Sequence, residues 1–118
     1  MSDEHTTQIR ELNDVCRQQI LAPQWMRAYP CTAVHTQGIE AFSEDQRYEI
    51  YKAVARFSDF TEDNDPHQEH DFGAFDFEGH KIFWKIDYYD PDMERGSENP
   101  ADPKQTMRVL TLMLASEY

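Results

Sequence analysis

The sequence lacks long apolar runs, and this absence bears on where the protein resides. No stretch of 18 apolar residues occurs in the 118-residue chain, whereas a membrane-spanning helix needs about 20. The N-terminus, Met1–His5, is polar and acidic, and a signal peptide requires a basic start followed by an apolar stretch. We therefore expect a cytoplasmic protein that makes no contact with a membrane.

Cysteine is scarce, and several chemical signatures are missing altogether. Cys16 and Cys31 are the only cysteines, and thiols in a cytoplasmic protein usually stay reduced, so no disulfide is expected. The absence of a CxxC pair argues against a zinc site. The sequence also has no glycine-rich phosphate loop, no G-x-S-x-G elbow and no H-E-x-x-H helix. We expect no cofactor.

What the chain has in excess is negative charge. It contains 23 acidic and 11 basic side chains, for a formal net charge of −12. Between Asp59 and Asp102 there are 14 acidic side chains and only three basic ones. Such a field repels nucleic acid and attracts basic surfaces, so we expect a protein partner with a basic surface and no direct binding of nucleic acid. The alternative explanation is a solvated face that aids solubility.

The length of the chain fits one domain, residues 1–118, with a single core. Apolar residues at three- and four-residue spacing predict a first helix over approximately Thr7–Leu21. A short strand is predicted over Thr32–Gln37. Ser43 begins a second helix, because Ser43-Glu44-Asp45-Gln46 fits the capping box, in which serine and glutamine each satisfy a backbone N–H.

A β-hairpin is predicted over Phe72–Tyr89. Its arms meet at Glu78-Gly79, where glycine can take the positive φ that a tight turn requires. In the resulting register, apolar residues gather on one face, and Asp76 lies opposite Lys81 on the other.

The C-terminal segment is predicted to be a third helix. Asp102-Pro103 would begin it, with aspartate as the cap and proline at the first helical position. Residues 107–114 are apolar nearly all round and can also be a buried strand, but their leucine and methionine content favours a helix. The predicted order is α-β-α-β-β-α, an α+β fold with helices on a small antiparallel sheet.

Several motifs in the second half of the chain resemble a known family. In chain order they are Asn64-Asp65-Pro66, Glu69–Gly73, Phe83–Asp90, Asp102-Pro103, Arg108–Thr111 and Met113–Tyr118. Together they resemble the domain of unknown function 3768 family, over most of the chain and most densely after Phe57. The resemblance implies a small bacterial protein of a kind found on chromosomes, plasmids and prophages. It implies no activity and no catalytic residues.

The densest group of potential metal ligands is Asp63–Asp71, which contains carboxylates and two histidines. His67 and His70 are three residues apart, a spacing that suits a shared metal on a helix. However, Pro66 disfavours the α conformation at the preceding residue. Gln68 also occupies the position where an EF-hand needs glycine. We expect an ordered turn and no tightly held metal.

The catalytic alternative depends on a histidine and an aspartate. Extending the hairpin register places His70 opposite Asp87, and a carboxylate that faces an imidazole can orient a general base. The sequence places no serine or cysteine nucleophile beside them. The alternative function is a small metal- or His/Asp-dependent hydrolase that uses His70 and Asp87.

The function that the sequence favours is a non-catalytic protein-interaction module that acts through an acidic surface. An accessory or counter-defence protein of a mobile element fits the charge, the size and the resemblance. The sequence leaves enzyme activity open but favours its absence, and it indicates no oligomeric state. The carboxylates expected to form the binding surface are Asp59, Glu62, Asp63, Asp65, Glu69, Asp71, Asp90, Asp92 and Glu94.

Overall fold

The computed structural model describes residues 4–118, and the first three residues of the polar N-terminus lie outside it. The first helix, α1, spans Glu4–Gln18 and buries Ile9, Leu12 and Cys16 on its inner face, as their spacing predicts. It ends earlier than the predicted Leu21. The reason is a change to tighter i→i+3 bonding, in which the N–H of Ile20 donates to the carbonyl of Arg17 at 3.3 Å.

The next three elements follow closely on one another. Strand β1 spans Cys31–His35, helix α2 is one turn over Gln37–Glu40, and helix α3 spans Glu44–Ala55. The capping box at Ser43 is present: Ser43 Oγ accepts from the Gln46 N–H at 3.1 Å, and Gln46 Oε1 accepts from the Ser43 N–H at 2.8 Å. The short helix α2 was not predicted, and it takes Gln37 from the predicted strand.

Strands β2, Phe72–Phe77, and β3, His80–Tyr89, form an antiparallel hairpin. Glu78 and Gly79 both have positive φ, at 48° and 85°, which is the requirement of a two-residue type I′ turn. Asp76 lies opposite Lys81, as the turn predicts.

The predicted C-terminal helix is wrong. Residues Met107–Leu114 form strand β4, which pairs parallel with β1 and antiparallel with β3. Asp102 Oδ1 does accept from the Lys104 N–H at 2.9 Å, but it caps only the 3₁₀ turn Pro103–Gln105. A central strand that is covered on both sides loses the polar–apolar alternation of a half-exposed strand, so its sequence resembles that of a buried helix.

The sheet is therefore mixed rather than antiparallel. It has four strands in the order β1-β4-β3-β2, and the element order is α-β-α-α-β-β-β. The helices pack on the sheet face that carries Ile82, Trp84 and Ile86. Within residues 4–118, no helix has both the length and the apolarity needed to cross a membrane.

On this face, one glycine of β2 allows a core side chain to pack directly against the backbone. Gly73 lies opposite Trp84 in the hairpin register. A Cβ added at Gly73 would lie 2.3 Å from Trp84 Nε1 and 2.5 Å from Cε2. Trp84 is fully buried, so its ring can move away only within the core.

We predict that Gly73→Ala lowers the free energy of unfolding by about 1–3 kcal/mol, the usual cost of overpacking a core. Urea denaturation followed by fluorescence measures this change. Gly96→Ala is the matched control, because its added Cβ would meet nothing closer than the Tyr88 carbonyl oxygen at 3.7 Å. Equal urea midpoints for the two variants would contradict the prediction.

Candidate functional site

The loop between α3 and β2, residues 56–71, contains most of the sequence-predicted site. It is an ordered turn, as expected: the Thr61 N–H donates to Asn64 Oδ1 at 2.8 Å, and Asn64 Nδ2 donates to the Asp59 carbonyl at 2.8 Å. Gln68 and His70 both have positive φ, at 59° and 56°. These two residues with left-handed backbone conformation change the direction of the chain before β2 begins.

Asp65 is an internal cap of this loop. It is buried, with 6% of its surface exposed. One carboxylate oxygen, Oδ1, accepts from the His70 N–H at 3.1 Å, and the other, Oδ2, lies 3.5 Å from His70 Nε2. Asp65 therefore fixes the loop from within and is not available to a partner.

The His70 ring is held on three sides. It stacks on Phe60 with ring centroids 3.7 Å apart and planes 3° from parallel. Its Nδ1 lies 2.8 Å from Asp14 Oδ1, while its Nε2 faces Asp65. Because both ring nitrogens face carboxylates of the protein, neither is directed at a substrate.

The predicted pairing of His70 with Asp87 is wrong. Strand β2 starts only at Phe72, so the hairpin register cannot be extended to His70. Phe60 places the His70 ring on the same sheet face as Trp84, whereas Asp87 points to the opposite face, since neighbouring strand residues alternate. There Asp87 Oδ2 accepts from Lys85 Nζ at 2.7 Å.

Arg17 of α1 connects the loop to the core. Its guanidinium donates to the carbonyls of Val54 at 3.1 Å and Phe57 at 2.8 Å, at the end of α3. It also donates to Asp14 Oδ1, the atom that contacts His70, at 2.7 Å. The guanidinium carbon lies 5.2 Å from the Phe60 ring centroid and 5.0 Å from that of Trp84.

A second polar network fixes the end of the loop. Asn13 Nδ2 donates to the Glu69 carbonyl at 2.9 Å and to the Tyr88 hydroxyl at 2.8 Å. That hydroxyl donates to Glu69 Oε1 at 2.9 Å, and Arg108 Nε donates to Asn13 Oδ1 at 2.6 Å. Burial raises the pKa of Tyr88 and lowers that of Arg108.

The sequence interpretation missed the contribution of α1 to both networks. Asn13 and Arg17 occur four residues apart, next to the apolar positions Leu12 and Cys16. They therefore lie within the stripe that faces the core. Polar residues at inner positions of an amphipathic helix were the available signal, because buried polar groups need partners.

A cavity of 280 Å³ opens beside His70. Its lining residues are Arg10, Phe60, Thr61, Glu62, Asp65, Gln68 and His70. In the part of the chain that the structure describes, no group of three or more His, Cys, Asp or Glu side chains is arranged to hold a metal ion.

The nine predicted surface carboxylates divide into two groups. Glu69 accepts from the Tyr88 hydroxyl, and Asp90 Oδ1 accepts from the Glu94 N–H at 3.0 Å. Together with Asp65 and the partly buried Asp71, these groups are engaged in the fold itself. The remaining carboxylates are exposed: Asp59, Glu62, Asp63, Asp92 and Glu94.

Much of the positive charge of the protein is used inside the fold. Most of the arginines donate to main-chain carbonyls and are buried or partly buried, and none of these forms an ion pair with the five exposed carboxylates. These arginines are Arg10, Arg17, Arg27, Arg47 and Arg108.

The fold and the loop define a small α+β protein in which buried polar contacts hold an acidic loop against a mixed sheet. Residues 35–117 match the family described as "Protein of unknown function (DUF3768)", and the chain belongs to that family. No curated protein and no solved structure matches the chain. The matched segment begins in β1, so Asp14 and Arg17 lie before it.

We predict that Arg17→Met lowers the free energy of unfolding by about 3–5 kcal/mol, because it leaves two carbonyls without their donor and removes the ion-pair partner of Asp14. Urea denaturation measures the change. Arg56→Met is the matched control, since Arg56 is exposed at the end of α3. Its replacement should change the free energy of unfolding by less than about 0.5 kcal/mol. Similar losses for both variants would show that the Arg17 contacts contribute nothing specific.

Asp71 gives a prediction about pH. Burial raises its pKa, and the neighbouring Glu69 charge adds to the effect. The folded chain thus holds this proton more tightly than the unfolded chain, so the free energy of unfolding falls as pH rises from about 3.9 through the raised pKa. Asp71→Asn should therefore be more stable than the wild type at pH 7 and should lose this advantage below about pH 3.9. Denaturation curves that differ equally at every pH would contradict this account.

Proposed function

We propose that the protein is a non-catalytic protein-interaction module that docks on a basic protein surface through its 56–71 loop. The observation that carries the proposal is the state of Asp59, Glu62 and Asp63. All three are exposed, and none forms an ion pair with a residue in 4–118. Their negative charge is therefore available to a partner.

The loop that presents these carboxylates is fixed before any partner arrives. His70 and Asp65 close it from within. Arg17 links the Phe57 carbonyl of the loop to a carbonyl of α3 and to the Trp84 ring of β3. A surface held in one conformation loses less entropy on binding than a flexible one, so more of the interaction energy appears as affinity.

Charge complementarity supports a basic partner. A group of exposed charges of one sign raises the rate of association with a surface of the opposite charge by about 10- to 1,000-fold at low ionic strength. A basic surface that normally holds nucleic acid is one such target. We therefore include in the proposal a role as a cytoplasmic accessory or counter-defence protein of a mobile element.

The hydrolase alternative has less support. It relied on His70 and Asp87 together, and these residues lie on opposite faces of the sheet. His70 borders the 280 Å³ cavity, but its two nitrogens face Asp14 and Asp65. A general base needs a nitrogen within hydrogen-bond reach of the substrate proton.

The test uses the triple variant Asp59→Lys, Glu62→Lys and Asp63→Lys. A partner captured from a bacterial lysate at low salt is purified, and its association rate with the wild type and the variant is measured. The variant should associate about tenfold more slowly or worse at low salt. The difference should shrink at about 0.15 M salt, where charges are screened beyond about 8 Å.

A triple variant on α3, Glu44→Lys, Asp45→Lys and Glu49→Lys, is the matched control. These three carboxylates are also exposed, and the change in net charge is the same. If both triple variants associate at the same reduced rate, only net charge matters and the 56–71 loop is not the docking surface. If neither variant differs from the wild type, the acidic surface serves solubility alone.

A further inference from the structure

The two cysteines lie together where α1 meets β1. Cys16 Sγ and Cys31 Sγ are 3.1 Å apart, and both are free thiols. A disulfide has a bond of about 2.0 Å, so a relative shift of roughly 1 Å between the helix and the strand would let the bond form. The sequence predicts that these thiols stay reduced, but it does not indicate that they are in contact.

Both thiols are buried, Cys31 with only 2% of its surface exposed, but they differ in their access to a neighbouring pocket. Cys31 borders an open pocket of 260 Å³ whose walls include Arg27, Tyr29 and Met107. Cys16 is 1% exposed and is not among the residues that line this pocket. A reagent that enters the pocket therefore meets Cys31 first.

The two thiols also differ in their electrostatics. The S–H of Cys16 donates to Cys31 Sγ, and this hydrogen bond, supported by the charge of Arg27, lowers the pKa of Cys31 to about 7. The same contact, together with burial, raises the pKa of Cys16. Because the thiolate is the nucleophile, Cys31 is the reactive member of the pair at neutral pH.

We propose that Cys31 and Cys16 form a thiol–disulfide exchange site for low-molecular-weight disulfides, with Cys31 as the attacking thiol and Cys16 as the resolving thiol. The Cys31 thiolate attacks one sulfur of the small disulfide, and the other half leaves as a thiolate that takes a proton from water. The Cys16 thiol then loses its proton to water and attacks Cys31 Sγ, which releases the second half. The two cysteines are oxidised to a disulfide, and one small disulfide is reduced to two thiols.

The order of the two steps follows from the same contact. While Cys31 is a thiolate, its negative charge opposes ionisation of Cys16. Once Cys31 is in a mixed disulfide, that charge is gone, so ionisation of Cys16 is opposed by burial alone and becomes easier. The first step thereby prepares the second.

Glutathione disulfide is the probe, and the native chain of residues 1–118 is the substrate. After incubation at pH 7, the reaction is quenched with acid, free thiols are alkylated, and the products are identified by mass spectrometry. The wild type should lose both free thiols without retaining glutathione. Cys16→Ser should retain one glutathione on Cys31, whereas Cys31→Ser should stay unmodified, with circular dichroism to verify that each variant is folded.

The wild-type chain also tests which of the two thiols reacts first, without any substitution. Brief alkylation of the reduced native chain should label Cys31 at least about tenfold faster than Cys16, because Cys31 borders the pocket and the contact lowers its pKa while raising that of Cys16. The proposal is overturned if both cysteines are labelled at equal rates. It is also overturned if native wild type keeps both thiols under conditions that oxidise the urea-unfolded chain.

Discussion

The buried guanidinium of Arg17 is the interaction on which most of this structure depends. Removing an arginine from water is costly, and the cost is offset as its donors find acceptors and its charge is balanced. The terminal nitrogens of Arg17 have acceptors, whereas its Nε has no hydrogen-bond partner within residues 4–118. Here two carbonyls at the end of α3, the carboxylate of Asp14 and the rings of Phe60 and Trp84 surround the guanidinium. Because these groups belong to α1, α3, the 56–71 loop and β3, one side chain fixes the relative positions of four parts of the fold.

The placement of arginine side chains inside the fold determines how negatively charged the surface is. Arginines that donate to main-chain carbonyls hold turns and helix ends in place, as Arg27 and Arg47 do around β1 and α2. Exposed carboxylates such as Asp59 and Glu62 are then left without an ion-pair partner within residues 4–118. The chain is acidic by composition, and the inward placement of its arginines concentrates the unpaired negative charge on exposed positions such as Asp63. Fold stability and surface charge are thus consequences of the same arrangement.

The sequence predicts those parts of the fold that short-range chemistry determines. The capping box at Ser43 and the turn at Glu78-Gly79 need only a few neighbouring residues, and both were found. Strand β4 was predicted as a helix because a strand that is buried on both faces shows no polar–apolar alternation. The pairing of His70 with Asp87 failed for another reason: positive φ at His70 ends the register before that residue, and the sequence does not reveal where a strand begins.

The candidate site was only half predictable, because its polar residues come from distant parts of the chain. The acidic loop and His70 stand out by composition, whereas their partners Asp14 and Arg17 are 56 and 40 positions away from the groups they bind. Cys16 is the immediate neighbour of Arg17, so α1 supplies both the clamp on the loop and one thiol of the cysteine pair. These residues precede the segment that matches the family, 35–117. The matched segment therefore contains the acidic loop and strands β2, β3 and β4, while the helix that holds the loop in place and all but the last residue of β1 lie before it.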